Sequence, residues 1–258
     1  MNPEDIHIVL LGFDRELDYR INLEILRYNY GFSDKLWITT IHNGDRDKLP
    51  SGLGENNFIY MNENRGPVGG VIDSINRAGQ FAVSGYRPIV VFMNFDAWFI
   101  TEQGFTCAIE EFMKSGKEFS AAIDNNYLPT PDCMIFKKDY LKKILPIQEK
   151  ICSFRRNIPD LVKKYKPTEL GFENVEEYLY YTITNKPKDL LVEMTHTKID
   201  QYLLKTIWHN MGRDGLPRLE WTERLTFLHN HDYNMKKELL KKYNITNGNA
   251  IQQFIGGA

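Results

Sequence analysis

Between Ile89 and Met93 the chain reads Ile-Val-Val-Phe-Met, an apolar run with no polar alternation. A strand with one wet face would alternate, so this one demands burial on both faces, the position of a central strand in an α/β sheet. Polarity changes abruptly at Asn94 and Asp96. Two positions apart in extended chain, they share a side. An amide and a carboxylate are therefore expected together at the strand's carboxyl end, where open α/β sheets bind their ligands. The plainer reading of Asp96 is a cap for the helix expected to begin near Thr101.

The rest of the chain supplies partners for such a strand. Ile6 to Leu11 is a second apolar run, closed by Gly12. Residues 14–30 carry Leu17, Ile21, Leu23, Ile25, Leu26 and Tyr30 at helical spacing, with Gly31 as the stop. Leu36 to Ile41 predicts a strand that ends in the polar turn His42-Asn43-Gly44-Asp45, and Phe58 to Met61 a third. A helix to Ser84 follows, with Val71, Ile72, Ile75, Ala78 and Ala82 on one side. Ile89 to Met93 is thus the fourth strand. A helix over 102–115, a fifth strand Phe119 to Ile123 ending at Asp124, a turn-rich binding loop over 125–132, a short strand Met134 to Phe136 for which an antiparallel setting is one reading, and a helix over 138–145 complete the alternation.

Strand and helix in alternation predict a doubly wound, mostly parallel sheet over 1–136. Beyond it the pattern is mainly helical to 247, with segments at 147–165, 173–185 and 198–211, a strand over 224–228 and a basic helix over 234–243. The last residues, 248–258, have little to hold them and are expected to be a mobile tail.

A net charge of −2 argues against nucleic acid as a partner. Lysine and arginine do cluster at 137–143, 155–166 and 236–242, as solvated helix faces or as a surface for anionic lipid or a phosphorylated acceptor. Cys107, Cys133 and Cys152 lack the paired spacing of a zinc site or disulfide framework, which points to a reducing compartment. With no signal-like amino terminus and no apolar run of roughly 20 residues, the expectation is a cytoplasmic protein with at most peripheral membrane contact.

Strand, helix, a strand ending in Asn43-Gly44-Asp45, then Glu63-Asn64-Arg65-Gly66 and Gly69-Gly70, then a strand ending in Asn94-Phe95-Asp96 is an order that resembles family 2 glycosyltransferases of the GT-A fold. It is most similar to their rhamnosyltransferase-like branch, in which the metal motif is often Asn-x-Asp in place of Asp-x-Asp. The resemblance covers about residues 6–136. It implies a GT-A-like sheet with a helical acceptor-side region. It also implies an enzyme that moves a hexosyl or deoxyhexosyl group from a UDP, dTDP or GDP sugar to a saccharide or lipid-linked acceptor, with inversion, in surface polysaccharide or glycoconjugate synthesis.

In such a transfer negative charge builds on the leaving diphosphate, which a hard divalent cation, Mn²⁺ or Mg²⁺, offsets with one or two protein carboxylates in its shell. The resemblance assigns Asp96 as the direct ligand and Asn94 to a ribose hydroxyl or a metal-bound water. It places nucleotide contacts at Phe13, Asp14 and Arg15, at His42, Asn43 and Asp45, at Asn64 and Arg65, at Gly70, and on the donor side at Asp124. The family usually has Asp where His42 stands. The family's base sits in a Glu-Asp-x-Asp stretch whose counterpart here is Glu173-Asn174-Val175-Glu176. An amide cannot accept the acceptor's proton, so either Glu173 or Glu176 takes that role, or the two stretches do not correspond, or the chain is catalytically impaired. His229 and His231 are the candidates for a late histidine completing the metal shell, and Trp98 for an aromatic surface against the sugar or acceptor. Two other readings are a sugar nucleotidyltransferase and, because of Asn94 and Asn174, a catalytically degenerate nucleotide- or carbohydrate-binding module.

Overall fold

The computed structural model describes residues 1–13, 15–30, 32, 34–44, 51–61, 66–114, 116, 118–123, 129–147, 207–208, 227–229 and 233–256. Strand β1 (Ile6–Gly12) is followed by helix α1 (Glu16–Glu24), which runs on into a π-helical turn, Ile25–Asn29. Then come β2 (Trp37–His42), β3 (Asn57–Tyr60), α2 (Gly66–Ser84) and β4 (Ile89–Asn94). Strand β5 (Ala97–Phe99), helix α3 (Glu102–Lys114), β6 (Phe119–Ile123), β7 (Pro129–Lys137) and α4 (Lys138–Ile144) follow. The described carboxyl-terminal part adds β8 (Ile207–Trp208), β9 (Phe227–His229), α5 (Tyr233–Lys242) and α6 (Asn249–Gly256).

Six strands form one sheet in the order β3-β2-β1-β4-β7-β6. The first four are mutually parallel, β7 is antiparallel to β4, and β6 is antiparallel to β7. The two apolar runs are neighbours, with Ile6 opposite Ile89 and Leu11 opposite Asn94. Because side chains alternate across a strand, Ile8, Leu10, Val91 and Met93 enter the core on one face, beneath α1, α3, α5 and α6. Val9, Leu11, Val90 and Phe92 enter the other, beneath α2 and α4. Both faces are covered, so apolar residues fill nearly every position of these strands, the exceptions being His7, buried on β1, and Gly12 and Asn94 at the strand ends. The mixed α/β, mostly parallel sheet is the one the sequence predicts.

Several expectations need correction. Residues 97–99, to which the sequence assigns no element, form β5, which pairs antiparallel with β9, itself parallel to β8, in a separate three-stranded sheet. The Tyr30 hydroxyl donates to the Phe99 carbonyl and ties this strand to the end of the π-helical turn. Residues 207–208, expected inside a helix over 198–211, are strand because they pair with β9. The loop over 125–132 is shorter than expected, since 129–132 already belong to β7. The helices expected over 147–165 and 173–185 fall almost wholly outside the described residues.

The tail is not loose where it is described. Residues 249–256 form α6, with Ala250, Ile251 and Phe254 buried against the core on α1's side. Their spacing is that of one helical face. The Glu24 carboxylate accepts the Ala250 and Ile251 backbone N–H groups, each at 2.9 Å, so the helix start is capped from another element. Gly248 adopts φ +112°, and a Cβ there would lie 2.2 Å from Glu24 Oε2. Only glycine lets the chain turn under that carboxylate.

Candidate functional site

The connectivity locates a crevice before any side chain is considered. From β1 the chain winds outward through β2 to β3, then crosses back to place β4 on the other side of β1. The carboxyl ends of β1 and β4 therefore flank a topological switch point, where helices above and below diverge and ligands enter. Arg15 follows β1, Asp96 follows β4, and the Phe95 N–H donates to the Leu11 carbonyl at 2.8 Å, carrying the β1/β4 register to the lip. Arg15 Nε lies 3.8 Å from Asp96 Oδ2, and Arg15 Nη1 3.8 Å from Asp18 Oδ2. One guanidinium thus spans two carboxylates at the seam.

Asp96 does not cap α3. Thr101 does that, accepting the Gly104 N–H at 3.1 Å. Asp96 sits in a tight turn between β4 and β5 whose carbonyls are held by buried side chains. Asn22 Nδ2 donates to the carbonyls of Asn94 (3.3 Å), Phe95 (3.3 Å) and Ala97 (3.0 Å). Trp98 Nε1 also donates to Phe95 O, and Lys236 Nζ to Asp96 O at 3.2 Å. On the strand itself Asn94 Nδ2 donates to Asp132 Oδ1 at 2.7 Å, across the β4/β7 pair.

Lys236 lies within the basic stretch 236–242, yet it is fully buried. Its Nζ is 2.7 Å from Asp18 Oδ1, also fully buried, and 4.0 Å from the centre of the Trp98 ring. Burial lowers the lysine below its ordinary pKa, while Asp18 and Asp96 act to raise it. The Tyr233 hydroxyl donates to Asp18 Oδ2 at 3.1 Å, so α5 closes over α1 through two polar contacts. The same geometry corrects the assignment of Trp98. Its ring is 0% exposed, packed between Lys236 and an edge-on Phe254, and is core rather than a surface for sugar.

On the β2 side of the crevice Phe13 is 44% exposed and lies nearly parallel to the buried His42 ring, 12° between planes and 6.3 Å between centres. Phe95 continues the stack beneath His42 at 6.5 Å and 4°. Asn43 packs on the first turns of α2, where a Cβ on Gly70 would lie 1.7 Å from Asn43 Nδ2. The absent side chain at Gly70 makes room for Asn43, a contact within the protein.

The structure therefore brings Phe13, Arg15, His42, Asn43, Gly70, Asn94 and Asp96 to one edge of the sheet. Asp14, Asp45, Asn64, Arg65, Asp124, Glu173, Glu176 and His231 lie outside the described residues. His229 is paired by backbone register with Ala97, one residue from Asp96. Four polar residues of the site, Asp18, Asn22, Asp132 and Lys236, were not singled out from sequence. Three carried a signal: Asp18 and Asn22 stand four apart in register with apolar Ile25, and Lys236 in register with Leu239 and Leu240. A polar residue on an apolar stripe is a buried one.

Among the described residues there is no group of three side chains able to hold a metal ion. Asp96 supplies one hard oxygen donor at the seam, its side chain 11% exposed, beside a guanidinium that already supplies positive charge. The carboxylate alone suits a Mg²⁺- or Mn²⁺-type ion, which takes few protein carboxylates and fills its shell with water and phosphate, whereas the Arg15 guanidinium competes for the same oxygen until phosphate draws it away. A separate cavity of about 410 Å³ lies at the opposite, amino end of β1 and β4, lined by Met1, Ile6, Pro88, Ile89, Ile109 and Met113. No described helix is long and apolar enough to cross a membrane.

No protein-family model matches the sequence, and no curated protein does. Among solved structures, a mannosyltransferase from Pyrobaculum calidifontis in complex with GDP-Man and Mn²⁺ is similar at 12% identity and TM-score 0.45, over 56% of this chain and 47% of that one. A cytidylyltransferase from Leptospira borgpetersenii is similar at 15% identity and TM-score 0.42, over 80% of this chain and 99% of that one. S. aureus TarS is similar at 10% identity and TM-score 0.38, over 54% and 48%. The chain spans about half the length of the mannosyltransferase and of TarS.

Proposed function

We propose that the chain is a glycosyltransferase that moves a sugar from a nucleotide diphosphate to an acceptor hydroxyl. The observation that carries this reading is the pairing of Arg15 with Asp96 across the β1/β4 switch point, 3.8 Å apart. A cation and an anion meet there at a crevice that α/β sheets use for nucleotides. The guanidinium can bind the leaving diphosphate bidentately and hold the charge that builds there. Asp96 would hold a divalent cation, which when bound supplies further charge stabilisation to the departing phosphate.

The remaining residues divide the donor between them. Phe13, exposed and backed by His42, offers a flat face to the base. Asn43 and Asn94 offer amides to ribose hydroxyls or ordered water, with Asp14, Asp45, Asn64, Arg65 and Asp124 as further donor contacts. His229 or His231 joins the cation's shell. Glu173 or Glu176 takes the proton of the acceptor hydroxyl as its oxygen attacks the anomeric carbon. Attack from the face opposite the leaving diphosphate inverts the configuration.

Calorimetric titration with UDP, GDP and dTDP, each with and without Mn²⁺ and with excess chelator, tests this reading. One nucleotide binding in a Mn²⁺-dependent way, and losing that dependence in a folded Asp96→Ala variant, is the expected result. Absence of binding by all three removes the reading, and equal binding with and without Mn²⁺ removes the metal from it.

A further inference from the structure

The turn that carries Asp96 is over-determined, and one of its restraints comes from far away in the sequence. Four consecutive carbonyls, from Asn94 to Ala97, accept bonds from buried side chains. Asn22 serves three of them. The carbonyl of Asp96 is served by Lys236, from a helix that begins 137 residues after Asp96, at Tyr233. The Nζ directs itself at Asp18 Oδ1, Asp96 O and the Trp98 ring, one partner for each ammonium N–H.

Stability does not account for this arrangement. Taking a lysine and an aspartate wholly out of water costs more than their attraction reliably returns, and apolar residues of similar volume usually do as well or better. What an apolar pair cannot do is donate to the Asp96 carbonyl. That bond fixes the peptide plane between Asp96 and Ala97, and with it the direction in which the Asp96 carboxylate leaves the backbone. Arg15 reads the same geometry from the open side, since it contacts both Asp18 and Asp96.

We propose that Lys236 is a positioning residue for Asp96: anchored on Asp18, it holds the Asp96 carbonyl and so aims the Asp96 carboxylate into the β1/β4 crevice. The inference rests on the reading of Asp96 as the ligand of a divalent cation at the donor diphosphate. It makes α5 part of the site through Lys236. Loss of the ammonium would loosen the aim of Asp96 while Asn22 still holds the flanking carbonyls, so cation-dependent binding would suffer before the fold does.

The test uses the full chain with Lys236→Met, and Lys236→Met combined with Asp18→Asn, which leaves no buried formal charge at the pair. Thermal melts establish folding. Calorimetry then measures UDP, GDP and dTDP with and without Mn²⁺ in the wild type, in these variants, in Asp96→Ala and in Lys236→Met combined with Asp96→Ala. The expected result is a loss of about tenfold or more in the Mn²⁺-dependent affinity, the usual cost of removing a group that orients a metal ligand. Affinity without Mn²⁺ stays within about twofold, and Lys236→Met adds less than about twofold on the Asp96→Ala background, because the two act as a unit. Equal losses with and without Mn²⁺, additivity with Asp96→Ala, or no loss would each overturn the positioning role. Failure of both Lys236 variants to fold assigns the pair to stability and overturns it as well. A wild type without Mn²⁺-dependent nucleotide binding overturns the underlying reading of Asp96, and that outcome is visible before any Lys236 variant is examined.

Discussion

Asn94 and Asp132 face each other across the antiparallel pair of β4 and β7, the amide donating to the carboxylate at 2.7 Å with Asp132 buried. The arrangement explains why an amide precedes Asp96 by two positions. A carboxylate at 94 would stand against a buried carboxylate already in place, and the two anions would repel in a medium that screens poorly. Asn94→Asp is therefore expected to destabilise the chain by about 1–3 kcal/mol at neutral pH, the cost of losing a buried charged hydrogen bond. Asn94→Asp combined with Asp132→Asn restores a donor and an acceptor and should recover most of that loss. Urea unfolding of the three variants checks it, and a single Asn94→Asp variant as stable as wild type would show that the contact carries no weight.

Phe13 is the exposed end of a three-ring stack whose other members, His42 and Phe95, are buried. Nothing packs on its outer face strongly enough to hide it, so truncation removes little from the core. Phe13→Ala should leave the melting temperature nearly unchanged while weakening nucleotide binding by about 1–3 kcal/mol, the range measured for a base stacked on an aromatic ring. Parallel melting and calorimetry separate the two effects. An unchanged affinity would place the base elsewhere.

Arg15 makes two contacts of 3.8 Å with a side chain about a third exposed. Ion pairs so long and so open contribute about 0–1 kcal/mol to folding. Arg15→Gln should accordingly shift stability by under about 1 kcal/mol, and lower nucleoside diphosphate affinity by about 1.5–3 kcal/mol through loss of charge-assisted bonds to phosphate. Nucleoside without phosphate is the control, and it should bind both forms alike.

The central strands were legible because their signal is short-range. A nearly continuous apolar run belongs in a doubly covered strand, and Ile6 to Leu11, broken only by His7, and Ile89 to Met93 form two such strands. Asn94 is placed by the strand it ends, whereas Asp96 lies beyond that strand in a turn, so the extended spacing that would set the two side by side does not hold. The supports were not legible. Asn22, Asp132 and Lys236 acquire their partners 72, 38 and 140 residues away, and no local pattern states which carbonyl or carboxylate a buried polar group will meet. Lys236 was hidden further by its neighbours, because three of the four lysines in its stretch lie outside the buried core and the stretch reads as a wet face. Trp98 misled in the opposite sense. Its place two residues after Asp96 suggested the site, whereas β5 turns it into the core between Lys236 and Phe254.

His7, on β1 at the far end of the sheet from the crevice, is buried and donates to or accepts from the Thr39 hydroxyl at 2.8 Å. Burial, helped by the Arg87 charge, pushes its pKa from 6.5 down to about 4. The folded chain thus keeps His7 neutral where the unfolded chain would protonate it. Between pH 6.5 and about 4 the unfolded state binds the extra proton, so stability falls as pH falls through that window and is fully present above it. The contribution at stake is about 3 kcal/mol as an upper figure, at about 1.4 kcal/mol per unit. Urea midpoints for wild type and His7→Asn at pH 4 to 8 check this: the variant should be weaker at neutral pH yet lose less on acidification.

Glu24 caps a helix that the sequence gives no reason to expect. Its two carboxylate oxygens take the Ala250 and Ile251 N–H groups at 2.9 Å, at the positive end of α6. An anion there satisfies two N–H groups that no intrahelical carbonyl can reach and complements the helix dipole. Removing a side-chain cap costs about 0.5–2 kcal/mol, and for α6 that loss falls mainly on docking of the helix, since Ile251 and Phe254 must reach the core together. Glu24→Ala should raise the hydrogen-exchange rates of the Ala250 and Ile251 amides and open residues 249–256 to protease, with a smaller effect on the central strands. Glu24→Gln, which keeps one acceptor and loses the charge, should fall between. Gly248→Ala is expected to act like Glu24→Ala, because a Cβ there meets the same carboxylate at 2.2 Å. If exchange in α6 is indifferent to all three changes, the cap does not hold the helix, and burial of Ile251 and Phe254 alone keeps the end of the chain in place.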